Sequence, residues 1–162
     1  MNKGAETLVA SIKDQWARTW SMWEEMIQSI PDEEWVRGEI DYLIPARHLI
    51  HVTVGEDFFS ADTPLNESDQ TRWFGVPAWE TAASDLPGKE AALSKLAVFK
   101  STVESRLSRL TDEALLAPEQ IHPWTGQTRL SKILFSLRHT QHHLGEINAE
   151  LIRRGMKGIK WQ

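Results

Sequence analysis

The stretch Thr128 to Arg154, TRLSKILFSLRHTQHHLGEINAELIRR, decides the fold. Thr128 is a helix-capping residue, Gly155 follows the stretch, and Arg153 and Arg154 suit the negative end of a helix dipole. Leu130, Ile133, Leu134, Leu137, Leu144, Ile147 and Leu151 recur at spacings that put them on one side of a helix. His139 and His143 lie four residues apart, which stacks them on one face with Cβ atoms about 6 Å apart and lets two imidazoles point at a single ion. A third ligand from another helix would close a facial triad and leave positions open for water or substrate. At ~100° per residue the apolar stripe is centred away from this pair. Either the helix meets protein on two faces, or the histidines face solvent, which is the commoner fate of such a pair.

Working outward, Leu8, Ile12, Trp16, Trp20, Trp23 and Ile27 repeat every three to four positions, and Pro31 ends the pattern. This predicts a first helix from about Glu6 to Ile30. Trp16, Trp20 and Trp23 share one face and read as a core anchored by large rings, with an aromatic pocket wall as the sharper alternative. The segment from Pro31 to Leu43 reads as a connection with a short helical start. Pro45 suits a first helical turn, and Ala46 to about Ser60 reads as a second helix. A strand competes over His51-Val52-Thr53-Val54, but no partner strand follows.

Between about Ala61 and Leu86, Pro64, Asn66, Gly75 and Pro77 alternate with Trp73, Phe74 and Trp79, a long connection tied down by rings. After Pro87 an amphipathic run to Leu110 gives a third helix, with Thr111-Asp112-Glu113 closing it, and Leu116 to Gln127 reads as a connection through Pro118, Pro123 and Gly126. The expected architecture is all-α, a four-helix bundle forming one domain over residues 1–162.

The chain has 41% apolar and 25% charged residues and a net charge of −5, without the basic excess that draws proteins to nucleic acid or anionic membranes. Neither is an expected partner. It has no cysteine, so a transition metal would have to sit on imidazole and carboxylate. Met1 to Glu6 leads into no signal-peptide core, and no run approaches a membrane span, which sets a cytoplasmic expectation.

Five of the six histidines fall in two clusters, His48 with His51 and His139 with His142 and His143. That clustering is the main functional signal. A di-iron bundle would need Glu-x-x-His pairs on two helices, which the helices do not supply, and His-Glu-x-x-His, a phosphate loop and a Gly-x-Ser-x-Gly elbow are absent.

The run Pro45-Ala46-Arg47-His48-Leu49-Ile50-His51, then Glu56-Asp57-Phe58-Phe59, together with Arg138-His139-Thr140-Gln141-His142-His143-Leu144-Gly145-Glu146-Ile147-Asn148, resembles the DinB-like superfamily of bacterial proteins. The resemblance implies a four-helix bundle whose metal, nickel or zinc, is held by one histidine of the second helix and the His-x-x-x-His pair of the last. His139 and His143 match the pair. It favours His51 over His48 as the third ligand and leaves His48 and His142 near the site. It also implies a small-molecule ligand or thiol cosubstrate, since members include thiol-dependent transferases and isomerases, and side-by-side homodimers.

Three neutral imidazoles would leave a divalent ion its full charge, suited to activating water or a thiol. The expected function is therefore metal-dependent transfer or hydrolysis on a small molecule, with Glu56, Asp57 and Glu146 as candidates for proton transfer or for orienting an imidazole. A stress-related or metal-responsive bundle that binds a ligand without turnover is the other reading. Whether the protein is an enzyme stays open at this stage.

Overall fold

A computed structural model describes residues 7–64, 66 and 70–162. Met1 to Glu6, which bear on the signal-peptide expectation and the start of helix one, lie outside the described residues. Helix α1 (Leu8–Ser29) begins at Thr7, whose hydroxyl accepts the Ala10 N–H, and stops at Ile30 before Pro31. Its tryptophans Trp16, Trp20 and Trp23 are all buried and run as a tilted stack, with Trp20 edge-on to Phe99. They form the core, and each such ring truncated to alanine would cost about 3–5 kcal/mol.

Helix α2 (Pro45–Ser60) starts on Pro45, and His51 to Val54 is helical. Val52 and Thr53 are wholly buried there, so packing overrides the local β-propensity. Helix α3 (Lys89–Ser108) follows the long connection. The sequence led us to expect Thr111-Asp112-Glu113 to close the third helix. Instead, Thr111 caps a further short helix, α4 (Asp112–Leu116). Asp112 explains it, because its carboxylate accepts the N–H groups of Leu8 and Val9 at 3.2 and 3.1 Å and so caps α1 from across the bundle. Helix α5 (Arg129–Arg153) begins at Thr128 and ends at Gly155, whose φ of 79° supplies the left-handed closing turn.

Four of these helices close a ring in which α1 meets α3 and α5, and α2 meets α3 and α5. Among the described residues there is no strand, only an isolated bridge between Pro118 and Thr128. No helix is long and apolar enough to cross a membrane, again among the described residues.

Helix α5 meets protein on two faces. Leu137, Leu144, Ile147 and Leu151 enter the core, while His143, off that stripe, is buried against α2. Leu134 departs from the expected stripe and is 50% exposed. The long connection is pinned to α2 by two polar anchors. Buried Arg47 donates to the carbonyls of Ala78 and Thr81, both at 2.7 Å, and the Trp73 indole N–H donates to Asp57 at 2.8 Å. These bonds place Trp79 over the histidines.

Candidate metal centre

His51 rises from α2, and His139 and His143 come from successive turns of α5 where the two helices run together. His51 Nε2 lies 3.1 Å from His139 Nε2, and His143 Nε2 lies 3.2 Å from the same atom. Three imidazoles attached to unlike points of the chain thus converge through the same ring nitrogen. Gly55, one turn after His51, makes room for this. A Cβ there would stand 3.1 Å from His139 Cε1.

Behind His143 stands Glu146, whose Oε2 accepts from His143 Nδ1 at 2.7 Å. A carboxylate only accepts, so the His143 proton sits on Nδ1 and its Nε2 presents a lone pair to the cluster. Tyr42 O–H donates to Glu146 at 3.1 Å, and His142, largely exposed, reaches it at 3.5 Å. Burial alone would raise the Glu146 pKa, but the bonds from His143 and Tyr42 outweigh it and hold the group below its ordinary value, as a carboxylate. Burial, and then mutual repulsion between the rings, lowers His51 and His139 to about 4 and depresses His143 as well. All three are neutral bases at pH 7, the state in which imidazole ligates metal.

His48 sits one turn before His51, wholly buried. Its Nε2 is 2.7 Å from the Tyr42 carbonyl, to which it must donate, so that nitrogen is not available to the cluster. Its Nδ1 is buried without a hydrogen-bond partner and lies 3.9 Å from Glu146. The geometry therefore brings His51, not His48, to the His139–His143 pair. His48, His143 and Glu146 form a second, overlapping group of potential ligands.

Glu56 and Asp57 are committed elsewhere. The Glu56 carboxyl accepts from Ser136 at 2.6 Å inside the bundle, and its full burial raises its pKa to about 7. Asp57 is clasped by Arg106 at 2.6 Å and by Trp73, and closes α2 against α3 and the long connection. Of the three carboxylates picked out in the sequence, only Glu146 touches the histidines.

The residues fit a divalent cation. Nitrogens about 2.0–2.1 Å from one ion, at angles between octahedral and tetrahedral, would be about 2.8–3.4 Å apart. The two spacings here fall inside that range. The Nε2 of His143 carries no proton and turns its lone pair to the cluster, while His139 Nδ1 is buried without a hydrogen-bond partner.

His51 and His139 line a cavity of about 580 Å3, together with Phe58, Phe59, Trp79, Trp124 and Phe135. Tyr42 and Trp124 carried no sequence signal that separates them from other surface rings. Tyr42 stacks on Trp79 with ring centroids 5.2 Å apart. One Glu-x-x-His spacing does occur, Glu119 to His122, but it lies between helices. Glu119 there accepts the N–H groups of Ile121 and His122 and pairs with buried Lys132.

The profile of the DinB superfamily matches residues 15–147, a span that holds all three converging histidines. The chain belongs to the DinB superfamily. The fold is similar to that of a DinB-like protein from Bacillus cereus ATCC 10987, known from a crystal structure at 2.01 Å resolution, with a TM-score of 0.68 and 16% identity over 96% of this chain and 97% of that one. At that identity the likeness speaks for the fold alone. The comparison with curated proteins found no match. Within this DinB superfamily chain, His51, His139 and His143 form a group that could hold a metal ion.

Proposed function

We propose that this protein binds one divalent transition metal, zinc or nickel, through the Nε2 atoms of His51, His139 and His143, and uses it on a small molecule held in the adjoining cavity. The observation that carries the reading is the convergence of three imidazoles, with Nε2 separations of 3.1 and 3.2 Å, two of which, His51 and His139, line that cavity. When bound there, such an ion would supply Lewis acidity, lowering the pKa of a water or thiol. The reaction class this supports is transfer from a thiol, or hydrolysis.

The chain's own residues have separable tasks. Glu146 holds the His143 Nδ1 proton and thereby aims Nε2 at the site. Tyr42 holds Glu146. Phe58, Phe59 and Phe135 give the cavity an apolar wall beside His51 and His139.

A ligand-binding bundle without turnover is the second reading. It is favoured by the engagement of Glu56 and Asp57 in the core, which turns both carboxylates away from the histidines. Rates of glutathione addition to 1-chloro-2,4-dinitrobenzene and of p-nitrophenyl acetate hydrolysis separate the two. Activity in zinc- or nickel-loaded protein that disappears in H143A supports catalysis. Metal binding without either activity moves the assignment to the binding reading.

A further inference from the structure

The loop between α4 and α5 is built to hold one ring in place. Its ends are tied by Glu119 N–H to the Gln127 carbonyl at 3.0 Å and Arg129 N–H to the Ala117 carbonyl at 3.0 Å. Inside it, Glu119 Oε1 accepts the N–H groups of Ile121 and His122 at 2.7 and 2.8 Å, and its Oε2 meets buried Lys132 at 3.2 Å. His122 is buried and stacks on Phe58 with centroids 4.1 Å apart. Gly126 has a φ of 144°, and a Cβ there would strike Ser131 Cβ at 2.4 Å, so only glycine lets the turn lie this close to α5.

The residue that this scaffold presents is Trp124, in the short 3-10 turn Pro123–Thr125. It is 64% exposed, yet it stands edge-on to Phe59 at 5.7 Å and Phe135 at 5.1 Å and lines the same cavity as His51 and His139. Its contacts with Phe59 and Phe135 cover only part of this large ring, and the pinned loop keeps the rest open to water. It becomes useful when a ligand covers it. The cavity has the size of a small-molecule site, and among the described residues that line it the charged or titratable side chains are His51, His139 and Glu80.

We infer that this cavity takes the flat, neutral, apolar part of the substrate, and that Trp124, set by Gly126 and by the Glu119–Lys132 pair, is the residue that selects it. The inference rests on the proposed function for the reacting end of the substrate, but the apolar recognition stands on Trp124, Phe59 and Phe135 alone. The ligand class is an aromatic or similarly planar hydrocarbon-bearing molecule, as opposed to a polyhydroxylated one. Planar rings fit between ring edges and faces, while hydroxyl groups there would lose their hydrogen bonds to water without replacement.

The test is titration of 1-naphthol, and separately of glucose, into metal-stripped and zinc-loaded protein, reading affinity by isothermal titration calorimetry in the wild type and every variant, and the Trp124 indole N–H in nitrogen-15 NMR spectra of the wild type. Expected are a saturable shift with naphthol and none with glucose. Naphthol affinity should be weakened about ten-fold or more in W124A and in G126A, and largely kept in W124F. Trp124 is exposed, so W124A should keep the fold, checked in a nitrogen-15 spectrum of that variant. No saturable shift with naphthol in either form, an affinity unchanged in W124A, or equal binding of glucose would overturn the inference. A Trp124 shift on dilution alone would mean that a second copy of the chain fills the cavity, which overturns it as well. Naphthol binding in a protein that takes up no metal would leave this inference standing and remove only the metal reading.

Discussion

Glu146 reaches back one turn of α5 to His143, its Oε2 2.7 Å from Nδ1, and thereby determines which nitrogen of that imidazole faces His139 and His51. The position of one proton decides whether the cluster offers a lone pair or an N–H.

Glu146→Gln replaces an obligate acceptor by an amide that can present either end. The His143 tautomer is then no longer fixed, and zinc affinity should fall about 10–100-fold while the fold survives. Competition titration with a zinc-responsive chelator measures it. Unchanged affinity would remove Glu146 from the site.

Gly55 sits inside α2, where alanine would ordinarily stabilise a helix by up to about 1 kcal/mol. Its missing Cβ leaves room for the His139 ring, 3.1 Å away. Gly55→Ala should therefore hold or raise the melting temperature while weakening metal binding, a split that chelator competition and calorimetry on the same sample detect. Loss of both together would mean that Gly55 serves packing instead.

Glu56 gives a pH signature remote from the histidines. Burial raises its carboxyl from an ordinary value of 4.5 to about 7, so the folded state binds this proton more tightly than the unfolded chain. Its contribution is fully present below pH 4.5 and is lost as the pH rises through about 7, a change on the order of 3 kcal/mol. The lowered histidines act in the opposite direction over pH 4 to 6.5, so the quantity to read is the stability difference between the wild type and Glu56→Gln in urea denaturation at equal ionic strength, which should move against the wild type between pH 5 and 8. A difference that does not change with pH would remove Glu56 as its source.

Much of this fold was legible because its helices carry strong periods and clear ends. Trp16, Trp20 and Trp23 marked a buried face, Pro45 opened α2, and Thr128 with Gly155 bracketed α5. What escaped were contacts between parts distant in sequence. Asp112 read as the end of a helix because nothing in its neighbourhood shows that it caps Leu8 and Val9, more than a hundred residues away. The same holds for Arg47, whose burial depends on carbonyls at Ala78 and Thr81.

The candidate site divides in the same way. The four-residue spacing of His139 and His143 and the family resemblance drew His51 to them, and the structure brings these three together. Glu56 and Asp57 lie close to His51 along the chain, but a helix turns them towards Ser136 and towards Arg106. Nearness in sequence says little about direction in a helix, and nothing in the sequence separated Glu146, one turn past His142, from the other two.

The measurement that bears most directly on the three-histidine site is elemental analysis of untagged protein, after incubation with zinc or nickel and removal of free ion, beside the H51A, H139A and H143A variants. About one divalent ion per chain in the wild type, lost in each variant while helical content is kept, is the predicted result. No bound metal even after loading, or metal retained in all three variants, would contradict it.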